Sequence, residues 1–184
     1  AGRPEMPQDL AVQLPRVFEF FENALGVPLL SQESFEADDL LATLAARFRG
    51  QPDCEVGILS ADQDLFQVVG ENVFVFCPQN GGKTRKMNSE AVIEKMGVPP
   101  HQVADYKAIA GDSSDRLSGV PGIGPVGARK ILGEWGTLEN ALENAEKITG
   151  KIGTLLSEHR EHAILTRRMA TLHRNLPLQN FSED

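Results

Sequence analysis

The chain has 184 residues, 41 % apolar and 24 % charged, an ordinary globular balance that gives one good-sized domain or two small lobes and excludes disorder. No apolar run approaches the ~18 residues of a membrane span. The opening mixture of Pro, Arg, Glu and Asp is no signal peptide, and two cysteines, Cys54 and Cys77, are too few for a disulfide framework or a Cys-type zinc site and suit a reducing compartment. Eighteen basic against 26 acidic residues leave a net charge of −8, which at face value speaks against a polyanionic partner such as DNA.

In chain order, residues 8–25 place Leu10, Leu14, Val17, Phe18, Phe21 and Leu25 at helical spacing, with Gly26 as a stop. Val27–Leu30 reads as a short strand, and 37–49 as a second amphipathic helix closed by Gly50-Gln51-Pro52. Val56-Gly57-Ile58-Leu59-Ser60 is a short apolar run of the buried parallel-strand kind, 62–69 reads as helical, and Val73–Phe76 as another strand. This alternation predicts an α/β portion with a parallel sheet and helices on both faces. After the Gly81-Gly82-Lys83 turn no strand is expected. A helix capped by Asn88 or Ser89 runs to Met96, another spans 100–110, a Gly/Pro-rich bend occupies 119–127, and short helices follow to about Leu172. The expected organisation is an α/β portion at 1–98 and an all-helical portion at 99–184.

The charge is unevenly placed. Residues 33–64 carry eight acids and two bases, a net of −6, whereas residues 81–135 are net +2. Such an acidic block is either a solvated helix face or a carboxylate cluster that divalent cations neutralise. Three constellations bear on the choice: Glu36-Ala37-Asp38-Asp39 at a helix start, Asp62-Gln63-Asp64 just after an apolar strand, and Gly111-Asp112-Ser113-Ser114-Asp115 at a helix end. Each alone can be capping or dipole chemistry. A ligand site outside the carboxyl end of a parallel strand explains the paired Asp62 and Asp64 better than a cap does. Oxygen-only donors suit Mg²⁺ or Mn²⁺, since the four His show no metal-ligand spacing to these acids and His159 and His162 read as solvated. The chemistry that fits is two-metal hydrolysis of a phosphodiester.

The segment Gly119-Val120-Pro121-Gly122-Ile123-Gly124-Pro125-Val126-Gly127-Ala128-Arg129-Lys130 contains a literal G-x-G-x-x-G, but no strand precedes it, as a dinucleotide site would need. A helix–hairpin–helix turn fits better. Its glycines admit a phosphate to the backbone, the next helix offers free N–H groups, Arg129 and Lys130 add charge, and Ile123, Val126, Ile131 and Leu132 pack the hairpin. Contacts of this kind position duplex DNA without reading its sequence.

Taken together and in this order, the motifs resemble the 5′ nuclease superfamily, in particular the 5′→3′ exonuclease domain of bacterial polymerase I-type enzymes. The similarity runs from Arg3-Pro4-Glu5-Met6-Pro7 through Phe35–Asp39, Asp62–Leu65, Gly111–Asp115 and the glycine bend to His159-Arg160-Glu161 and Leu176-Pro177-Leu178. It implies a PIN/5′ nuclease-like core followed by a helix–three-turn–helix, and a structure-specific 5′→3′ exonuclease or flap endonuclease acting on 5′-flap, nicked or branched DNA. The implied metal-site and catalytic acids are Glu36, Asp38, Asp39, Asp62, Asp64, Asp112 and Asp115, with two Mg²⁺ or Mn²⁺ ions. The implied DNA-binding residues are Gly119, Val120, Gly122, Ile123, Gly124, Gly127, Arg129 and Lys130, where a K⁺ is held through backbone oxygens in the family. A cytoplasmic, nucleoid-associated location, a role in replication and repair, and a following polymerase domain belong to the same expectation. Gln63 and Arg116-Leu117-Ser118 depart from the usual residues, commonly Lys or Arg and then Asn-Ile-Pro. The family's first metal-binding strand and basic arch are not matched, so an N-terminally truncated core is expected. A duplex-binding module without catalysis is the second reading, and a PIN-type ribonuclease, which would not need the hairpin, the third.

Overall fold

The structure, a computed structural model, describes residues 5–178; Arg3 and Pro4 of the first matched motif lie outside the described residues. Helix α1 (Gln8–Glu19) continues through one π-helical turn at Phe20–Ala24. Its periodicity is as predicted, yet it buries no residue, and Leu10, Val17, Phe18, Phe21 and Leu25 are all exposed. Val27–Leu30 forms no strand among the described residues. Helix α2 (Ala37–Phe48) buries Leu40, Ala42, Thr43 and Ala45 along one face, the stripe that an amphipathic surface helix turns to a core.

Strand β1 (Val56–Leu59) pairs in parallel with β2 (Val73–Pro78), in the register Val56↔Val73 to Leu59↔Phe76. The connection is a 3₁₀ segment, Asp64–Val68, whose Leu65, Phe66, Gln67 and Val68 are all buried; each large apolar side chain placed there contributes roughly 1.5–3 kcal/mol. The sheet is mixed rather than parallel, because β3 (Thr84–Met87) returns antiparallel to β2. Gly81 and Gly82, at φ +79° and +72°, turn the hairpin, a conformation that side chains with a Cβ disfavour. The sequence Thr-Arg-Lys-Met hides this strand because only Met87 is buried; a charged edge strand lacks the apolar alternation that marks an inner one.

The remaining described elements are helical: α3 (Ser89–Met96), capped by Asn88 as predicted, α4 (Val103–Ala110), α5 (Pro125–Trp135), α6 (Leu138–Glu143), α7 (Lys151–Glu158) and α8 (Arg160–Ala170). Helix α4 is central, packing on α5, on α8 and on the 3₁₀ segment. One hydrophobic core runs from Ala42 on α2 through both strands of the parallel pair to Leu156 and Ala163. A strap after α8 ties its two ends together. Gln67 donates to the Ala170 carbonyl (2.8 Å) and accepts from the Leu172 N–H (3.3 Å), while the Thr43 hydroxyl bonds the His173 carbonyl and the Leu176 N–H. No helix among the described residues is long and apolar enough to cross a membrane.

Candidate active site

The strand β1 ends at Leu59, and the turn that follows is built from its own polar side chains. The Ser60 hydroxyl accepts from the Asp62 N–H (3.1 Å), and Asp62 Oδ1 accepts from the Asp64 N–H (2.9 Å). Side chain-to-backbone bonds of this kind fix a turn locally, and burial of Leu65 and Phe66 anchors it. Asp64 is thereby presented at the carboxyl end of the parallel pair.

A second tight turn brings Asp112 and Asp115 to the same place. Asp112 and Leu117 exchange both backbone hydrogen bonds, at 2.9 and 2.8 Å, closing a loop over residues 113–116. Gly111, at φ +82°, lets this loop lie against the start of the glycine bend: a Cβ there would stand 2.8 Å from the Gly119 nitrogen. Asp112 Oδ1 accepts from the Ser114 N–H at 2.8 Å and from the Ser114 hydroxyl. One carboxylate oxygen from each of Asp64, Asp112 and Asp115 then falls within 4.8 Å of the others.

In the middle of the three stands a residue the sequence reading passed over. Lys107 on α4 is buried, and its ammonium ion-pairs with Asp64, with Asp112 at 2.5 Å and with Asp115 at 3.2 Å. Its signal was positional, since Lys107 lies among the buried Val103, Ala104, Ala108 and Ile109 of α4, a surface on which a lysine needs partners. Burial works against its charge, but hydrogen bonds to Asp112 and Asp64 outweigh that and hold it charged. For Asp112, burial raises the carboxyl, while Lys107 and Ser114 together bring it down to about 2. Asp64 moves the other way. Burial dominates, Lys107 only partly offsets it, and the fields of Asp115 and Asp62 add to it, so the carboxyl rises to about 6.

The Glu36-Ala37-Asp38-Asp39 group enters from the start of α2. Asp39 Oδ2 accepts from the Glu36 N–H (3.4 Å) and Oδ1 from the His173 N–H (2.8 Å), so this side chain joins helix start to strap. Asp38 is raised, by burial first and then by the fields of Asp62, Glu36, Asp39 and Asp115. Six of the seven acids thus converge from three elements, while Asp62 stays exposed with its Oδ1 on the Asp64 N–H. Glu36, Asp38, Asp39, Asp64 and Asp115 line one cleft of about 680 Å³, with Arg116 and Arg168 among its other walls. Three carboxylates against one ammonium leave the centre short of positive charge, and its donors are oxygens only, the set that hard divalent cations take. The residues present fit such ions.

The glycine bend sits beyond Asp115. Val120 and Ile123 are buried, Gly122 takes φ +85°, and Gly124 with Pro125 opens α5, where Pro at the first helical position is preorganised. Nothing lies within 4 Å of a Cβ placed on Gly124, so the helix start is open to an approaching group. Gly127 packs beside Ile123. Val126, expected to pack the hairpin, is 78 % exposed, because it falls on the outer side of the first turn of α5. Lys130 is exposed and 3.9 Å from Glu134. Arg129 is drawn toward the fold, its Nε donating to the Met96 carbonyl at 2.8 Å and its guanidinium over the Tyr106 ring. His162 does not project freely into solvent. Its Nε2 lies 2.8 Å from the Ser118 carbonyl and 3.2 Å from that of Gly119, so α8 braces the entry to the bend.

Comparison with known proteins agrees with this arrangement. The family model described as 5′-3′ exonuclease, N-terminal resolvase-like domain, matches residues 1–97, and that described as 5′-3′ exonuclease, C-terminal SAM fold, matches residues 98–184. The chain is 38 % identical to DNA polymerase I of Bacillus caldotenax, covering 100 % of this chain and 21 % of that protein. It is 39 % identical to the 5′-3′ exonuclease of Aquifex aeolicus, over 99 % and 60 % of the two lengths. The chain therefore spans about a fifth of the polymerase relative and three fifths of the exonuclease. Among solved structures, the bacteriophage T5 flap endonuclease in a pseudo-enzyme–product complex with DNA and metal ions superposes with a TM-score of 0.71. That match has 21 % identity over 92 % of this chain and 63 % of that one, a likeness of fold. With one family model on the half that carries Glu36, Asp38, Asp39, Asp62 and Asp64 and its companion on the half that carries Asp112, Asp115 and the glycine bend, the chain belongs to the 5′-3′ exonuclease family.

Proposed function

We propose that this chain supplies the nuclease function of a structure-specific 5′→3′ exonuclease or flap endonuclease, hydrolysing DNA phosphodiesters in replication and repair. The observation that carries the reading is the convergence of Asp64, Asp112 and Asp115 on one point beside a cleft lined by Glu36, Asp38 and Asp39. Asp64, Asp112 and Asp115 would hold divalent ions, Mg²⁺ or Mn²⁺, directly. Asp62, Asp38 and Glu36 complete the site from their own side, and Asp39 positions the α2 start against the strap. The chemistry such ions supply when bound is water activation and charge stabilisation on a phosphodiester. Lys107 keeps the carboxylates from repelling one another, and the cleft walls orient the strand to be cut.

Residues 1–98 form the α/β portion that carries Glu36, Asp38, Asp39, Asp62 and Asp64, and 99–184 the helical DNA-gripping portion, which also brings Lys107, Asp112 and Asp115 to the site. The meeting of the two family models at residues 97 and 98 supports that boundary, although the hydrophobic core continues across it. Duplex DNA with a 5′ flap, nick or branch is held at the bend by Gly119, Val120, Gly122, Ile123, Gly124 and Gly127, with charge from Lys130 and from the outer edge of Arg129. The backbone carbonyls of that bend also suit a K⁺ ion. The whole protein acts in the bacterial cytoplasm at the nucleoid, and a polymerase domain accompanies the nuclease in polymerase-type relatives.

Incubation of the chain with a 5′-flap duplex and Mn²⁺, beside Asp112→Asn, tests the proposal. Cleavage by the parent and at least a hundredfold loss in the variant are expected. Cleavage that survives the substitution refutes the site. Flap binding with no cleavage by the parent favours the second reading, a duplex-binding module, for which the accessible start of α5 is the supporting feature.

A further inference from the structure

The cleft beside the carboxylates carries two arginines that the nuclease reading does not use. Arg116 lies in the loop closed by the Asp112–Leu117 bridge, directly after Asp115, and Arg168 lies near the end of α8 on another wall. Arg116 takes φ +55°, the left-handed region in which Asn and Gly are at ease and a long side chain costs roughly 1–2 kcal/mol. Strain kept at a site of this kind is a mark of function. Arg168 is exposed and has no ion-pair partner among the described residues, whereas its neighbour Arg167 is held by Asp105 and Glu139. Guanidinium groups match phosphate oxygens in a two-point geometry that an ammonium cannot reproduce.

We propose that Arg116 and Arg168 are positioning residues that clamp a backbone phosphate of the nucleic-acid strand entering the carboxylate cleft. The proposal rests on the 5′ nuclease reading and deepens it. The clamp offers the strand positive charge at a wall otherwise dominated by Glu36, Asp38 and Asp39, and sets the register of the neighbouring phosphodiester. It reads phosphate, so its contribution is independent of base sequence.

The test compares the 184-residue chain with Arg116→Asn, Arg168→Gln and the double variant. A fluorescent 5′-flap duplex is followed by anisotropy with Mn²⁺ between about 50 and 200 mM salt. Each single variant is expected to weaken binding about three- to tenfold and to reduce the slope of log K against log salt by about one. In cleavage assays KM rises more than kcat falls. Asn suits the left-handed backbone, and the melting temperature of Arg116→Asn is measured beside that of Arg168→Gln so that a loss of folding stability is separated from a loss of binding. Unchanged affinity and salt slope overturn the clamp while leaving the nuclease reading intact. A lowered melting temperature that accounts for the binding loss assigns Arg116 to folding and overturns its part. A parent chain that binds no flap duplex refutes the nuclease reading, and the clamp falls with it.

Discussion

Replacing Lys107 with Met isolates the electrostatics of the carboxylate cluster. The side chain is 3 % exposed and its ammonium faces Asp64, Asp112 and Asp115. At an effective dielectric of about 20, a pair such as Lys107–Asp115 is worth roughly 5 kcal/mol before desolvation is subtracted. The hold on Asp112 gives a net measure. A carboxyl kept at about 2 instead of 3.8 contributes about 2 kcal/mol at neutral pH. Removing one partner of a buried pair typically costs about 3–5 kcal/mol, and here Asp64 and Asp112 are left with little access to water while Asp115, 39 % exposed, keeps more. Lys107→Met should therefore lose about 3–5 kcal/mol in urea denaturation of the metal-free protein at pH 7. Met fills the same space, so packing adds little. Because the ammonium and a divalent ion compete for the same oxygens, Mn²⁺ should stabilise the variant more than it stabilises the parent. A loss under about 1 kcal/mol in chelator, or one that Mn²⁺ leaves unchanged, refutes the reasoning.

The pH dependence should separate two of the acids. Asp64 has its folded pKa raised to about 6 from 3.8, so its contribution is present below pH 4 and is lost as pH rises through 6. Metal-free parent should accordingly lose up to about 3 kcal/mol relative to Asp64→Asn between pH 4 and 7, measured by urea titration; equal pH slopes would exclude the raised carboxyl. Asp112 works in the opposite sense, its contribution being present above pH 4 and lost as pH falls through about 2. Gly119→Ala should cost more than ~3 kcal/mol, since a Cβ there would collide with the backbone of Gly111 and Ile109. A melting temperature within a few degrees of the parent would show that the loop and bend can separate.

How much of this was legible in the sequence follows from what each signal reports. The three acidic constellations were visible because carboxylates concentrated at a helix start, a strand end and a helix end are rare as a set, and the structure brings all three to one cleft. Local capping was legible too, and Asp39 shows that cap and site are not exclusive, since its two oxygens join Glu36 to His173. The strand at Thr84–Met87 was not legible, because its charged residues face outward at a sheet edge and only hydrogen bonding defines it. Lys107 was passed over and His162 read as solvated for a common reason. A cation on a helix is ordinarily solvated, and only tertiary contact reveals that one reaches three carboxylates and the other two carbonyls. Val126 failed in the reverse direction, since hydrophobicity alone does not say which side of a helix's first turn faces inward.

The net charge of −8 now has a physical place. Its largest share lies in residues 33–64, which hold five of the seven acids, whereas the stretch with the glycine bend is net positive. A strand entering that cleft without cations would meet Glu36, Asp38, Asp39 and Asp115 at close range, where the cavity walls limit screening. On the proposed reading, ions and DNA must then assist one another. Each divalent cation lowers the cost of bringing a phosphate to the carboxylates, and by linkage each bound phosphate tightens the ions by the same factor. Lys107 limits that coupling at the base of the cleft, being already paired with the carboxylates, while Arg116 and Arg168 meet the strand from walls the carboxylates do not occupy. An acidic chain can thus bind a polyanion when its excess carboxylates are gathered where cations neutralise them, and its cleft-wall arginines lie where the backbone must pass.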